Sequence, residues 1–226
     1  MSTPISHQET VYGWLYLLIQ IFILPTVLET GNRLLGSPMG DTELNFLFFL
    51  LNFLAIICIF HRFLAKSARK MTQHPMYFLQ AVVLGLAAYL ACRWILGSLI
   101  GWLRPGFVNL NDQSIAAMAR SGRFLMAIGT VILVPPVEET LYRGLIFKNL
   151  YSKNRWAAYI LSMLAFSAIH ILGAVGRLSW VDLLISTLQY LPAGLCLAWA
   201  YTKAETIYAP MLIHALINLR GIYAMR

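Results

Sequence analysis

The chain has 226 residues, of which 59% are hydrophobic and 12% are charged, and its mean hydropathy is +0.69. Soluble domains carry about 25% charged residues, so this composition excludes an ordinary soluble domain and indicates a polytopic membrane protein. The formal net charge of +8 does not indicate a nucleic-acid partner, because the basic residues lie mainly in short segments between apolar runs, where they suit lipid headgroups.

Apolar runs of the length that a bilayer core requires predict about seven helices. In chain order they are Val11 to Leu28, Leu44 to Ala65, Met76 to Leu103, a fourth run from Phe124, Trp156 to Leu172, Val181 to Tyr201 and Ile207 to Tyr223. A polar stretch between the third and fourth runs predicts a short surface helix. The sequence shows no internal repeat, so we expect an all-α, polytopic membrane helix bundle that forms one domain over residues 1–226.

The fourth run is interrupted by Pro135 and Pro136. Two consecutive prolines remove two backbone N–H groups, so we expect the helix to kink or restart at this point. Glu138 and Glu139 would then lie in the first turn after the break, where the helix dipole favours negative charge.

The lysines and arginines of the short loops predict that the N-terminus lies inside. The predicted inner loops, residues 62–76, 148–155 and around 203, hold Arg62, Lys66, Arg69, Lys70, Lys148, Lys153, Arg155 and Lys203. The first ten residues carry no lysine or arginine, so we expect no removable signal peptide. Small size and short loops favour an integral protein of a prokaryotic plasma membrane.

The three cysteines, Cys58, Cys92 and Cys196, all fall inside apolar runs and lack CxxC spacing. We interpret them as buried thiols and expect neither a disulfide nor a zinc site from them.

Glu138, Glu139 and Arg143 stand in the otherwise apolar fourth run. A charged side chain at bilayer depth costs roughly 2.5–3.5 kcal/mol on insertion scales, so such residues indicate function by default. Glu139 and Arg143 are four residues apart and can pair along one helix face, whereas Glu138 points about 100° away and is free to act as an acid or base. The alternative is a buried charge cluster that only holds helices together.

His170 in the fifth run is predicted to lie at the depth of the glutamates. A basic turn near Asn154 joins the fourth and fifth helices, and Glu139 precedes Asn154 by 15 residues while His170 follows it by 16. At about 1.5 Å per residue, both lie roughly 22–24 Å from the turn. A histidine in an apolar helix is otherwise more often a satisfied core residue.

His214 and Asn218 in the last run are four residues apart, so both project from one face, which should point to the bundle interior. The alternative to a catalytic role is an interhelical hydrogen bond, typically worth about 0.6 kcal/mol.

Three motifs follow one another in this half of the chain: EExxxR at Glu138, Glu139 and Arg143, FxxxH at Phe166 and His170, and HxxxN at His214 and Asn218. In this order they resemble the CPBP family of intramembrane proteases, which includes CAAX prenyl endopeptidases and bacterial bacteriocin-processing and self-immunity proteins. The segment GLCLAWAYTKAETIYAPMLIHALIN is similar to the family's glycine-rich helix, threonine-containing turn and histidine helix, although Ala198 stands where many members have glycine. The resemblance covers about residues 131–219.

The resemblance implies a glutamate-type intramembrane endopeptidase whose catalytic helices, the fourth to the seventh, span residues 124–223. A glutamate and a histidine would activate a water molecule, and a second histidine and an asparagine would stabilise the oxyanion. The implied catalytic residues are Glu138, His170, His214 and Asn218, and the implied supporting residues are Glu139, Arg143 and Phe166. No cofactor or metal is expected. The partners would be the lipid bilayer and a peptide or protein substrate at the membrane, such as a prenylated C-terminus, a leader peptide or a C-terminal anchor.

Three other functions stay open at this point. No HExxH or GxSxG motif occurs, but two glutamates and two histidines could bind the zinc of a membrane protease. The same charge cluster could serve as the proton relay of a small proton-coupled transporter. A non-catalytic membrane scaffold that binds a partner helix is the third.

Overall fold

The computed structural model describes residues 5–36 and 38–224, and these residues form helices and connecting turns without any strand. Residues 1–4, which enter the signal-peptide expectation, lie outside the described residues. The described helices are α1 (His7–Arg33), α2 (Asp41–Gln73), α3 (Pro75–Leu103), α4 (Leu110–Ser121), α5 (Arg123–Tyr151), α6 (Arg155–Ile171), α7 (Trp180–Ala204) and α8 (Tyr208–Ala224).

The predicted all-α helix bundle is confirmed, and the protein is an integral membrane protein. Six of the described helices, α1, α2, α3, α5, α6 and α7, are long and apolar enough to cross a bilayer. The seventh predicted span corresponds to α8, which has 17 described residues and would extend about 25 Å at 1.5 Å per residue.

Helix α5 is the central helix of the bundle. Half of its most apolar window is buried inside the protein, compared with 17% for α2 and for α3. A buried helix can hold polar side chains away from lipid only if neighbouring helices supply their partners. The helices that surround α5 therefore determine the surroundings of its two glutamates.

The two prolines of α5 are accommodated by a wide helical turn and not by a restart of the helix. Residues Gly129–Leu133 are π-helical, and Val134, which follows them, keeps helical dihedral angles and donates its N–H to the Gly129 carbonyl. Such π-helical turns shift the hydrogen-bond register of a helix. Because the helix is continuous, Glu138 and Glu139 do not lie at a new helix N-terminus, and the expected help from a helix dipole is absent.

Close contact between α6 and α7 depends on Gly194. A side chain at this position would meet Met163 of α6, because a Cβ atom would lie 2.8 Å from its Cγ and 3.0 Å from its Cα. The small residue therefore lets the two backbones approach, as in many membrane helix pairs. This approach also brings the Gly194 carbonyl towards α5.

The predicted surface helix exists as α4, but the chain that leads into it runs along α7 into the bundle. Arg104 Nε lies 3.3 Å from Asp182 Oδ1, and further along the chain Asn109 Nδ2 donates to Gln189 Oε1 at 2.8 Å. Asn109 is only 5% exposed. The start of α4 therefore lies inside the protein, and burial raises the pKa of the Asp112 carboxyl in its first turn.

Only one of the three cysteines is buried within the protein. Cys196 is buried, whereas Cys58 and Cys92 lie on the outer surface of the bundle. The interpretation of all three as buried thiols was wrong because lipid-facing and protein-facing positions of a membrane helix are equally apolar.

The predicted inner loops lie at the same end of the bundle. Lys70 near the end of α2 lies 3.5 Å from Glu205 after α7, and the ammonium of Lys148 lies 5.3 Å from the ring centre of Phe63. The ends of α2, α5 and α7 therefore share one face, as the lysine and arginine distribution predicts.

Cysteine labelling tests this topology. In a variant without the native cysteines, we expect cysteines introduced at Gln73 and at Asn154 to react with a membrane-impermeant thiol reagent only when the cytoplasmic face is exposed. Inverted vesicles expose the cytoplasmic face to the reagent, and right-side-out vesicles enclose it. Labelling of the two positions from opposite sides would contradict the topology.

Candidate active site

Glu139 of α5 lies at the centre of a buried charge cluster. Its Oε1 atom accepts hydrogen bonds from Arg143 Nη1 at 3.2 Å and from His214 Nδ1 at 2.8 Å. The side chains of Glu139 and Arg143 are completely buried. The predicted pairing of these two residues along one helix face is confirmed, and α8 adds a histidine to it.

Arg143 is held by three different helices. Its Nη2 donates to the Gly194 carbonyl of α7 at 3.2 Å, and its guanidinium carbon lies 4.3 Å from the ring centre of Phe166 in α6. Buried ion pairs are stable only when further contacts compensate for lost hydration. The arginine therefore joins α5, α6 and α7 through one side chain, together with its bond to Glu139.

Glu138 points away from this cluster and towards His170. The Oε2 atom of Glu138 lies 3.7 Å from His170 Nε2, and the two side chains keep 18% and 16% of their surface exposed. The predicted equal depth of α5 glutamates and the α6 histidine is confirmed. The distance is longer than a direct hydrogen bond.

The backbone fixes which nitrogen of His170 faces the glutamate. His170 Nδ1 lies 2.7 Å from the Phe166 carbonyl oxygen, which can only accept, so Nδ1 carries a hydrogen. In the neutral ring, Nε2 is then a bare acceptor that faces the Glu138 carboxyl group. Two acceptors that face one another can hold a proton or bind a water molecule between them.

Phe166 contacts both the buried charge cluster around Glu139 and the pair formed by Glu138 and His170. Its ring centre lies 4.6 Å from that of His170 and 5.7 Å from that of His214. It also lies against Arg143 and, in an edge contact at 5.7 Å, against Tyr142. The Phe166 ring, which is predicted to support the site, therefore packs between the two histidines.

Asn218 makes a hydrogen bond to the wide turn of α5. Its Nδ2 donates to the Thr130 carbonyl at 2.7 Å. This carbonyl lacks its usual partner in α5, because Val134 bonds to Gly129 and Pro135 has no N–H. Asn218 therefore joins α8 to α5, the interhelical contact that the sequence left as an alternative, and its role towards a substrate stays a prediction.

The described residues contain no cluster of side chains that could form a zinc site. Over residues 5–36 and 38–224, no three histidine, cysteine, aspartate or glutamate side chains come close enough to hold a metal ion. His214 directs its Nδ1 to Glu139 and not towards His170.

The sequence does not predict that Tyr190 and Asp112 lie beside the proposed site. The Tyr190 ring lies 4.4 Å from the imidazole of His170, centre to centre, and its hydroxyl lies 3.5 Å from Asp112 Oδ1. An isolated tyrosine in an apolar run carries no signal, because aromatic residues are common there. Asp112 lies in the polar stretch between the third and fourth apolar runs, which predicts a surface helix.

Comparison with known proteins supports the family resemblance that the three motifs indicate. Residues 120–220 match the family described as type II CAAX prenyl endopeptidase Rce1-like. The chain is also similar to the UPF0177 protein YbdI of Lactococcus lactis, with 25% identity over 61% of this chain and 73% of that protein. The UPF0177 protein YaiF of the same bacterium is 32% identical over 47% of this chain and 42% of its own length. No solved structure matches the chain significantly. The predicted family resemblance is confirmed.

Proposed function

Because residues 120–220 belong to the Rce1-like family of CAAX prenyl endopeptidases, we propose that this protein is an intramembrane endopeptidase in which Glu138 and His170 activate a water molecule. The observation that carries the assignment is the difference between the two adjacent glutamates. Glu139 is completely buried and already bonded to Arg143 and His214, whereas Glu138 is partly exposed and faces the free nitrogen of His170.

The first step of the proposed reaction is attack of water on the scissile carbonyl carbon. A water molecule between the Glu138 carboxylate and His170 Nε2 donates a proton to one of these acceptors as its oxygen bonds to the carbonyl carbon. The captured proton is then available to the leaving amine when the tetrahedral intermediate collapses. General acid–base catalysis of this kind contributes about 10²–10⁴-fold to a rate.

The second requirement is stabilisation of the oxyanion, which we assign to His214 and Asn218. Since His214 Nδ1 donates to Glu139, its Nε2 remains for the substrate, and it becomes a donor when the ring is protonated. Asn218 lies one helical turn from His214 on the same face of α8 and carries a second N–H beyond the one given to Thr130.

Glu139, Arg143 and Phe166 are proposed to support the site without reacting. The bond of Glu139 to His214 holds α5 against α8, the bond of Arg143 to Glu139 fixes the carboxylate within α5, and Phe166 separates the two histidines. Catalytic groups need such support because a displacement of about 1 Å can cost 10²-fold in rate.

The proposed substrate is a peptide or protein at the membrane, with a prenylated C-terminal peptide as the first choice because of the family match. The test is mass spectrometry of a farnesylated CAAX peptide, a leader peptide and a C-terminal anchor peptide after incubation with purified protein in detergent. Release of a fragment by the wild type but not by the Glu138→Gln variant supports the proposal. Proton-driven solute flux without any fragment would instead favour a transporter.

The metal-free mechanism makes a prediction about Asn218. Replacement by alanine removes one oxyanion donor and is expected to lower kcat by about 10²–10³-fold with little change in KM, because that bond strengthens only in the transition state. Steady-state kinetics on the cleaved peptide measure both constants.

Treatment with a strong chelator complements the Asn218→Ala variant. The wild-type rate is expected to persist after chelation, and metal analysis is expected to find no stoichiometric zinc. A rate that chelation abolishes and zinc restores would make Glu138, His170 and His214 metal ligands and contradict the mechanism.

A further inference from the structure

The imidazole of His170 contacts two aromatic rings. The ring centre of Phe166 lies 4.6 Å away, and that of Tyr190 in α7 lies 4.4 Å away, with 31° between the tyrosine and histidine ring planes. Phe166 belongs to the same helix as His170, one turn earlier. Tyr190 is therefore the ring contact that positions this histidine from outside its own helix.

The hydroxyl of Tyr190 is held in turn by the start of α4. Asn111 Nδ2 donates to it at 3.1 Å, and the hydroxyl lies 3.4 Å from Asn109 Oδ1 and 3.5 Å from Asp112 Oδ1. The Asn109 side chain also bonds to Gln189, the residue before Tyr190. A tyrosine ring that is bonded at its tip has little freedom to rotate away from the surface that it covers.

We propose that Tyr190 is a positioning residue that holds His170 Nε2 towards Glu138, and that Asn111 of α4 fixes Tyr190 in this position. The role rests on the proposed function for its effect on catalysis, but the geometry of His170 can be measured without any substrate. Histidine side chains rotate about two single bonds, and the bond of Nδ1 to the Phe166 carbonyl holds one edge of the ring. The Tyr190 ring, 4.4 Å away and tilted by 31°, limits rotation of the imidazole from outside its own helix.

The first experiment is a kinetic comparison of two substitutions. Tyr190→Leu removes the ring and is expected to lower kcat by about 10²-fold, the usual effect of a small displacement of a catalytic group, without a change in KM. Tyr190→Phe retains the ring but lacks the hydroxyl that Asn111 binds, and it is expected to give a kcat between those of Tyr190→Leu and the wild type. The probe is the farnesylated CAAX peptide, or whichever of the three test peptides the wild type cleaves.

The second experiment reads the position of His170 directly. In protein with isotope-labelled histidine, the His170 ring resonance, assigned by its loss in His170→Gln, carries the ring-current shift of the stacked tyrosine. This shift is expected to disappear in Tyr190→Leu and to persist at reduced size in Tyr190→Phe. Tyr159→Leu is the matched control, because Tyr159 packs against Phe147 and Tyr151 and bonds to Thr202.

The outcomes separate the inference from the proposed function. A His170 resonance and kcat that are unchanged in Tyr190→Leu, or a resonance that moves equally in Tyr159→Leu, would overturn the positioning role. If Tyr190→Leu does not fold, Asn111→Ala replaces it, and an unchanged resonance and rate there would overturn the role of α4. Full activity of Glu138→Gln would reject the proposed mechanism while the resonance still decides the position of His170.

Discussion

Replacement of Glu138 by glutamine is expected to lower the cleavage rate by about 10²–10⁴-fold, the contribution of a general base, while the protein remains folded. Glutamine has the shape of glutamate but cannot accept a proton at neutral pH. The side chain is partly exposed, and among the described residues its ionic partner is His170 at 3.7 Å, so the substitution leaves no buried charge without a partner. Fragment release by quantitative mass spectrometry and thermal unfolding in detergent measure the two effects.

Glu29→Gln is the matched control for this substitution. Glu29 is an exposed glutamate of α1 that pairs with Arg33, far from the proposed site in sequence and without a contact to it among the described residues. The control is expected to cleave at the wild-type rate. Turnover of Glu138→Gln near that of Glu29→Gln would contradict the assignment of Glu138 as the base.

Helical periodicity and counting along the chain were sufficient to predict the relations within and between α5 and α6. Four-residue spacing predicted the bond of Glu139 to Arg143, and equal distances from the turn at Asn154 predicted that His170 meets the glutamates. Both predictions use only the rise and rotation of a regular helix. They hold because the two helices are joined by a short turn, which leaves little freedom in their register.

Relations between distant segments could not be derived in this way. The bond of His214 to Glu139 depends on how α8 packs against α5, 75 residues apart in the chain, and no local rule fixes this packing. The entry of α4 into the bundle depends on side-chain bonds from Asn109 and Asn111 to α7, which a polar stretch does not distinguish from bonds to water. The π-helical turn at Gly129 likewise replaces the expected break. The sequence shows that the prolines lack N–H groups, but a helix can accommodate this loss either by a break or by a wider turn.

Replacement of Glu139 by alanine is expected to destabilise the protein by about 3–5 kcal/mol, the usual cost of removing one partner from a buried ion pair. Arg143 would remain completely buried, keeping its hydrogen bond to the Gly194 carbonyl and its contact with the Phe166 ring but losing its bonded carboxylate, and His214 would lose its acceptor. The free energy of unfolding in detergent, or the yield of folded protein, measures the loss. Because Glu139 does not face the proposed water position, the protein that does fold is expected to retain Glu138-dependent cleavage at a reduced rate.

An equivalent pair at the surface of the same protein provides the control. Glu29 and Arg33 have the same four-residue spacing as Glu139 and Arg143, but their side chains are 62% and 80% exposed, in contrast to complete burial. Glu29→Ala is therefore expected to cost only about 0.3–0.5 kcal/mol, as for exposed pairs of this spacing. If both alanine substitutions had the same small effect, Arg143 would have to find another counter-charge or reach water, and Glu139 could not be the structural partner that leaves Glu138 free to react.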